Sequence, residues 1–363
     1  MRRHHDSPLL RALRGEPGDR VPVWFMRQAG RSLPEYFPVR GDGTILDAIS
    51  VPERATEITL QPVRRYGVDA AILFSDIVTP VWASGFGIDI TPGVGPECEK
   101  PFASAAYLDR LRPLDPATDL AFQTETVTQL VAELDVPLIG FAGAPFTLAA
   151  YLVEGRPSRD YAKVKSLMAG EPELWHALCE RLADQAIATL TAQVAAGASA
   201  IQLFDSWAGA LHPDHYRRFV SPHSERIMAA MADLGVPRLH FGINTGELLD
   251  QMAAVGADGV GVDWRTPLTV ARARTGGADS GITLQGNLDP ALVLSPWETV
   301  EAEVRRVLDD NGGHPAHIFN LGHGVLPQTD PEILERVVAL VHDIGQAAGV
   351  DVYTPVSEPG PTA

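Results

Sequence analysis

The chain has 363 residues, 45% of them apolar and 21% charged, with a formal charge of −17 at neutral pH. This is enough apolar material for one large α/β domain or two smaller ones. The acidic balance argues against nucleic acid or an anionic membrane as partner, because both repel it.

No apolar run reaches the roughly 18 residues of a membrane span, and no long apolar segment follows the basic start as in a secretory leader. Cys98 and Cys179 lie far apart and outside any Cys-x-x-Cys or His-x-Cys cluster. They point to the cytoplasm and away from a structural zinc.

Strand-like and helix-like segments then alternate along the whole chain. An apolar stretch ending at Met26 reads as a first strand. The first helix, 52–66, begins on a proline, whose fixed φ suits that position. After it come strand 69–74, helix 117–134, strand 137–141, a helix carrying Tyr151, helix 172–196 and strand 200–204. Helix 215–234, strand 238–241, helix 247–254, strand 259–262, helix 268–274 and strand 281–284 continue the pattern, and helix 296–310, strand 316–319 and helix 331–347 end it. Leu120, Val127, Leu130 and Leu134 in one helix, and Ile333, Val337, Leu340 and Ile344 in another, have the spacing of a packed face. Residues 84–115, rich in glycine and proline, read as an excursion within one domain.

Eight such units without a linker predict a single-domain α/β fold, a (β/α)8 TIM-type barrel over 7–348, with flexible termini at 1–6 and 349–363. A doubly wound open sheet would alternate in the same way, but no Gly-x-Gly-x-x-Gly follows an early strand.

A barrel puts its chemistry on the loops after the strands. The first loop is Arg27-Gln28-Ala29-Gly30-Arg31, with Arg40 beyond a turn. Arginine holds carboxylates in a fixed fork, so this run suits an anion with several carboxylates. The second strand ends in Ser75-Asp76, the third leads to Tyr151, the fourth to Asp205-Ser206-Trp207, and the eighth to Gly322-His323-Gly324. Taken singly, Asp76 also suits a helix cap, Tyr151 a core position and Ser206 a turn. His323 between two glycines favours close approach of backbone to a ligand.

Together these segments resemble the uroporphyrinogen decarboxylase family from about residue 9 to residue 345. The likeness includes the run from Pro22 to Arg31, Phe74-Ser75-Asp76, residues 140–155, Asp205 to Gly209, Gln285 to Pro290 and Asn320 to Gly324. It implies a cofactor-independent decarboxylase in porphyrin (heme) biosynthesis that converts the four acetates of uroporphyrinogen III to methyls, giving coproporphyrinogen III. It places Arg27, Gln28, Ala29, Gly30, Arg31, Arg40, Asp76, Tyr151, Ser206 and His323 at the substrate. Asp76, Arg27, Tyr151 and His323 are the catalytic candidates among them, with the proton donor left open. It further implies a cytoplasmic homodimer with no metal.

Rival readings are a zinc-dependent methylcobamide methyltransferase of the same superfamily and a non-catalytic tetrapyrrole-binding protein. The methyltransferases use a His-x-Cys pair and a later cysteine; here Phe241-Gly242 follows His240, and His323 stands at the later position. Both thiolates are missing. A carrier would not need Asp76. A phosphate-binding barrel near Gly143 lacks an obvious general base.

Overall fold

The computed structural model describes residues 4–30 and 32–348. Seven parallel strands form one sheet: β1 (Ala71–Ile72), β4 (Leu138–Gly143), β5 (Ala200–Phe204), β6 (Arg238–Phe241), β7 (Gly259–Gly261), β8 (Thr283–Gln285) and β9 (His317–Ile318), hydrogen-bonded in that order. A separate antiparallel hairpin, β2 (Ile88–Thr91) and β3 (Gly95–Cys98), lies within the 84–115 excursion.

The eighth position is filled by the segment around Val23, which forms a parallel bridge with Phe319. On its other side the Val23 carbonyl accepts the Asp69 N–H at 2.8 Å. The sheet thus closes on itself as the α/β barrel that the alternation predicts.

The first strand is reduced to this bridge because side chains take up three of its backbone donors: Val23 N–H is met by Asp69, Phe25 N–H by Gln28 and Met26 N–H by Asn320, at 2.8–3.0 Å. A ladder is replaced by individual acceptors that each fix one residue.

Helix Pro52–Tyr66 follows its expected bounds. Proline opens it, Gly67 closes it in the left-handed conformation with φ 65°, and Ala55, Ile58, Thr59, Pro62 and Tyr66 form its buried face. Other expected helices are interrupted. Helix 117–134 divides at Leu120 into Pro116–Asp119 and Ala121–Glu133. Helix 215–234 divides at Val220 into Pro213–Phe219 and Ser221–Ala232, since Pro222 brings no N–H to a continuous ladder. Strand 281–284 slides to Thr283–Gln285.

The barrel interior is filled rather than open. Thr283 donates to the Ala12 carbonyl at 2.8 Å, so helix Pro8–Ala12 plugs the N-terminal mouth. In the middle, the Trp24 indole donates to Gln285, and Gln285 donates to Gln202, at 3.0 and 2.9 Å. Above them the rings of Phe141, Phe204 and Phe241 stand edge to face, at centroid distances of 5.3 and 5.8 Å. This apolar layer is the floor of the C-terminal mouth.

Candidate active site

Asp76 leaves the end of β1 and is held by its neighbours, accepting the Val78 N–H at 3.0 Å. It is partly open at the mouth and enclosed by protein elsewhere, and burial raises its carboxyl above the usual range. The Val78 and Ile77 N–H groups and the Arg27 guanidinium oppose that rise. Among the described residues no cationic side chain lies within 4.0 Å of its carboxylate.

Arg27 sits on the adjacent loop, exposed, in the left-handed conformation with φ 59°. A side chain with a Cβ meets that conformation at a cost of order 1 kcal/mol and needs its surroundings to hold it. Gly324 supplies the space: a Cβ there would lie 2.6 Å from Arg27 Cδ. His323, one residue earlier, stacks at 6.5 Å on Phe241 of the aromatic floor. Desolvation pushes its imidazole down to about 4, helped by Arg27 and Arg265, so the ring is neutral at pH 7.

Tyr151 lies on helix Pro145–Glu154, one turn after Thr147. Burial and the nearby Asp76 carboxylate push its phenol up to about 12, against hydrogen bonding with the Trp207 side chain. Its ring meets Trp207 edge-on at 6.1 Å. The loop after β5 is tied to this helix through Thr147, whose hydroxyl donates to Asp205 at 2.9 Å and accepts the Trp207 N–H at 3.1 Å. Ser206, half-buried, sits between those two anchors. Asp205 itself is fully buried with Oδ2 unpartnered among the described residues, and desolvation pushes its carboxyl up to about 7.

The structure thus gathers Arg27, Asp76, Tyr151 and His323 into one electrostatic group. Other expected residues fall elsewhere. Gln28 is fully buried, with its side chain spent on the Phe25 N–H and the Ala70 carbonyl, so it holds the loop to β1. Ala29 and Gly30 continue that loop, half-buried, and Arg31 lies outside the described residues. Arg40 ends helix Tyr36–Arg40 and donates to the Gly43 carbonyl; Tyr36 of the same helix meets Phe74, at the end of β1, at 5.9 Å. Arg40 therefore borders the rim without touching the group around Asp76.

Arg265 was not anticipated, and Asp205 and Trp207 were placed at the strand end without roles of their own. A charged residue just past a strand was the available signal for Arg265.

A family model described as uroporphyrinogen decarboxylase (URO-D) matches residues 4–344. The chain belongs to the uroporphyrinogen decarboxylase family. A relative named uroporphyrinogen decarboxylase from Salinispora tropica is 60% identical over 340 residues, 93% of this chain and 91% of that protein. One of the same name from Streptomyces griseus is 56% identical, covering 93% of this chain and 92% of that protein. Among solved structures, a methyltransferase from Methanosarcina mazei superposes with a TM-score of 0.75 at 22% identity, covering 93% of this chain and 98% of that one. A B12-independent methionine synthase from Shewanella sp. W3-18-1 follows at 0.55 and 15%, covering 84% and 89%. At such identities the superpositions speak for the barrel alone, and the family is carried by the relatives. No helix among the described residues is long and apolar enough to cross a membrane.

Proposed function

We propose that this enzyme is a carboxy-lyase that removes CO2 from the four acetate side chains of uroporphyrinogen III, giving coproporphyrinogen III without a cofactor. The observation that carries the reading is Asp76, a carboxylate set in a desolvated mouth above an aromatic floor, with no close cationic side chain among the described residues.

Protonating a pyrrole at the α-carbon makes a cationic ring. The electron pair released with CO2 then flows into that ring, which serves as the sink a cofactor supplies elsewhere. Protonation of the exocyclic carbon and loss of the ring proton leave a methyl group. Asp76 accepts the pyrrole N–H and faces the developing charge. Because burial already disfavours its anion, a cation beside it relieves an existing cost. Such a preorganised group contributes about 3–4 kcal/mol at the transition state.

Arg27 and Arg31, with Arg40 toward the rim, grip substrate carboxylates; Ala29, Gly30 and Ser206 border them, and Gln28 fixes the loop it shares with Arg27. Tyr151 keeps its proton at neutral pH and donates a hydrogen bond beside Asp76. His323 starts as a neutral imidazole, and an arriving carboxylate raises its pKa toward the range of a general acid. Its protonation therefore belongs to the substrate complex rather than the free enzyme.

The methyltransferase alternative is not favoured. The matching relatives of 55–60% identity are named decarboxylases, and His240 is buried with Nδ1 against the Met252 carbonyl. The same proposal places the enzyme in the cytoplasm as a homodimer, a state that sedimentation would read directly. Cys98 and Cys179 are both free thiols, in keeping with a reducing compartment.

The test is product analysis after purified protein, with no cofactor added, meets anaerobically reduced uroporphyrin III. Hepta- to tetracarboxylate porphyrins should appear stepwise after oxidation. Binding without CO2 release would favour a carrier, and neither would return the methyltransferase reading.

A further inference from the structure

The residues placed at the substrate occupy only part of the barrel rim. Around the closed barrel the loops follow the Val23 segment, β1, β4, β5, β6, β7, β8 and β9. Arg27, Asp76, Tyr151, Ser206 and His323 belong to the Val23 segment, β1, β4, β5 and β9. The loop after β7 is four strands from β1 in either direction, so it faces Asp76 across the mouth. In segments 242–245, 262–266 and 286–290, which follow β6, β7 and β8, Arg265 is the one basic residue.

Arg265 is held in place rather than free to sweep. Its guanidinium carbon lies 3.9 Å from the Trp264 ring centroid, and Nη1 donates to Asp263 at 3.1 Å. Its other guanidinium nitrogens have no hydrogen-bond partner among the described residues, and the side chain is 48% exposed. The buried Asp263 does not depend on it alone, since it also accepts the backbone N–H groups of Asn244 and Arg265. The neighbouring backbone at Trp264 presses on Gly322, where a Cβ would collide with it, so this loop abuts the one that carries His323. The charge of Arg265 accordingly helps keep His323 neutral.

We propose that Arg265 is a substrate-binding residue that takes one side-chain carboxylate of the tetrapyrrole on the wall opposite Asp76. The inference rests on the decarboxylase reading above. A fork with one edge pinned and the other unpaired is ready for a carboxylate, and a macrocycle bearing carboxylates around its edge needs a grip on both walls.

The experiment compares wild type, Arg265→Gln and Arg265→Lys with uroporphyrinogen III, following KM, kcat and the melting temperature. Arg265→Gln should raise KM about tenfold with kcat within about twofold, the pattern of a lost ground-state contact. Arg265→Lys should fall between and supplies the answer if the glutamine variant does not fold. Competition by uroporphyrin and by coproporphyrin, which keeps only propionates, identifies the group: weakened binding of both means a propionate, and of uroporphyrin alone an acetate.

Unchanged KM in the variants, beside a wild type that decarboxylates, would overturn this inference alone. So would a melting loss with no change in KM, which would leave Arg265 a partner of Asp263. An inert wild type would bring down the decarboxylase reading itself.

Discussion

Asp69 and Asp76 flank the same short strand, one at each mouth of the barrel, and their surroundings are opposite. Asp69 is buried and fully used. It accepts from Arg20 through Nε and Nη2 at 3.0 and 2.6 Å, from the Val23 N–H at 2.8 Å and from His342 at 2.7 Å. Those bonds join β1, the closing segment and helix Pro331–Ala348. Asp76 accepts local backbone N–H groups, and Arg27 acts on it only at longer range. The same residue type stabilises the fold at one mouth and stores unspent electrostatic capacity at the other. Where partners are complete, the group is structural; where they are incomplete and water is limited, it is available to a ligand.

The contrast breaks most sharply at Asp76. Asp76→Asn should lower kcat by about a hundredfold to a thousandfold while the melting temperature stays close to wild type. A near-normal rate would remove the role given to this carboxylate. Asp69→Asn should do the reverse: urea unfolding should show a loss of about 2–4 kcal/mol, because Arg20 and His342 lose a buried anion, with kcat little changed in whatever folds.

Gly324→Ala tests the neighbour of Asp76 rather than Asp76 itself. It should cost about tenfold in kcat/KM, because the Arg27 side chain must move from a position a Cβ would enter. A normal kcat/KM would mean that Arg27 is not needed where it stands.

The smallest effects concern pH. Burial pushes His240, His317 and His323 down to about 4. The unfolded chain therefore takes up protons first, near the ordinary imidazole value. Stability that these groups contribute above about pH 6.5 should be lost as pH falls toward 4. Asp205, pushed up to about 7, runs the other way, contributing most at low pH and losing that contribution as pH rises through 7. Asp205→Asn should thus stabilise the protein by about 1–2 kcal/mol more at pH 8 than at pH 6, as measured by urea midpoints. Equal shifts at the two pH values would mean the Asp205 carboxyl is not perturbed by burial.

Much of this was legible before the fold. Helix Pro52–Tyr66 announces itself through Pro52, Gly67 and a regular apolar face, and β4 and β5 are uniformly buried runs. Such signals depend on near neighbours, so they survive in a linear reading. The interruptions at Leu120 and Val220 are small tertiary adjustments of helices whose existence was plain. The arginine-rich segment and the carboxylate after β1 were also legible, because strand ends and charge are local properties.

The use made of each side chain was not. Gln28 looks like a ligand contact and instead bonds its own loop and β1. Arg265 is one arginine among many in the sequence, and only the strand order sets it across the mouth from Asp76. By itself the sequence determined the succession of βα units, the faces they bury and the loop positions of the chemistry, since all three follow from spacing along the chain. Only the tertiary structure decided how the barrel closes and which polar groups are left for substrate. Those outcomes depend on partners far apart in sequence: the Met26 N–H finds its acceptor 294 residues away, in Asn320.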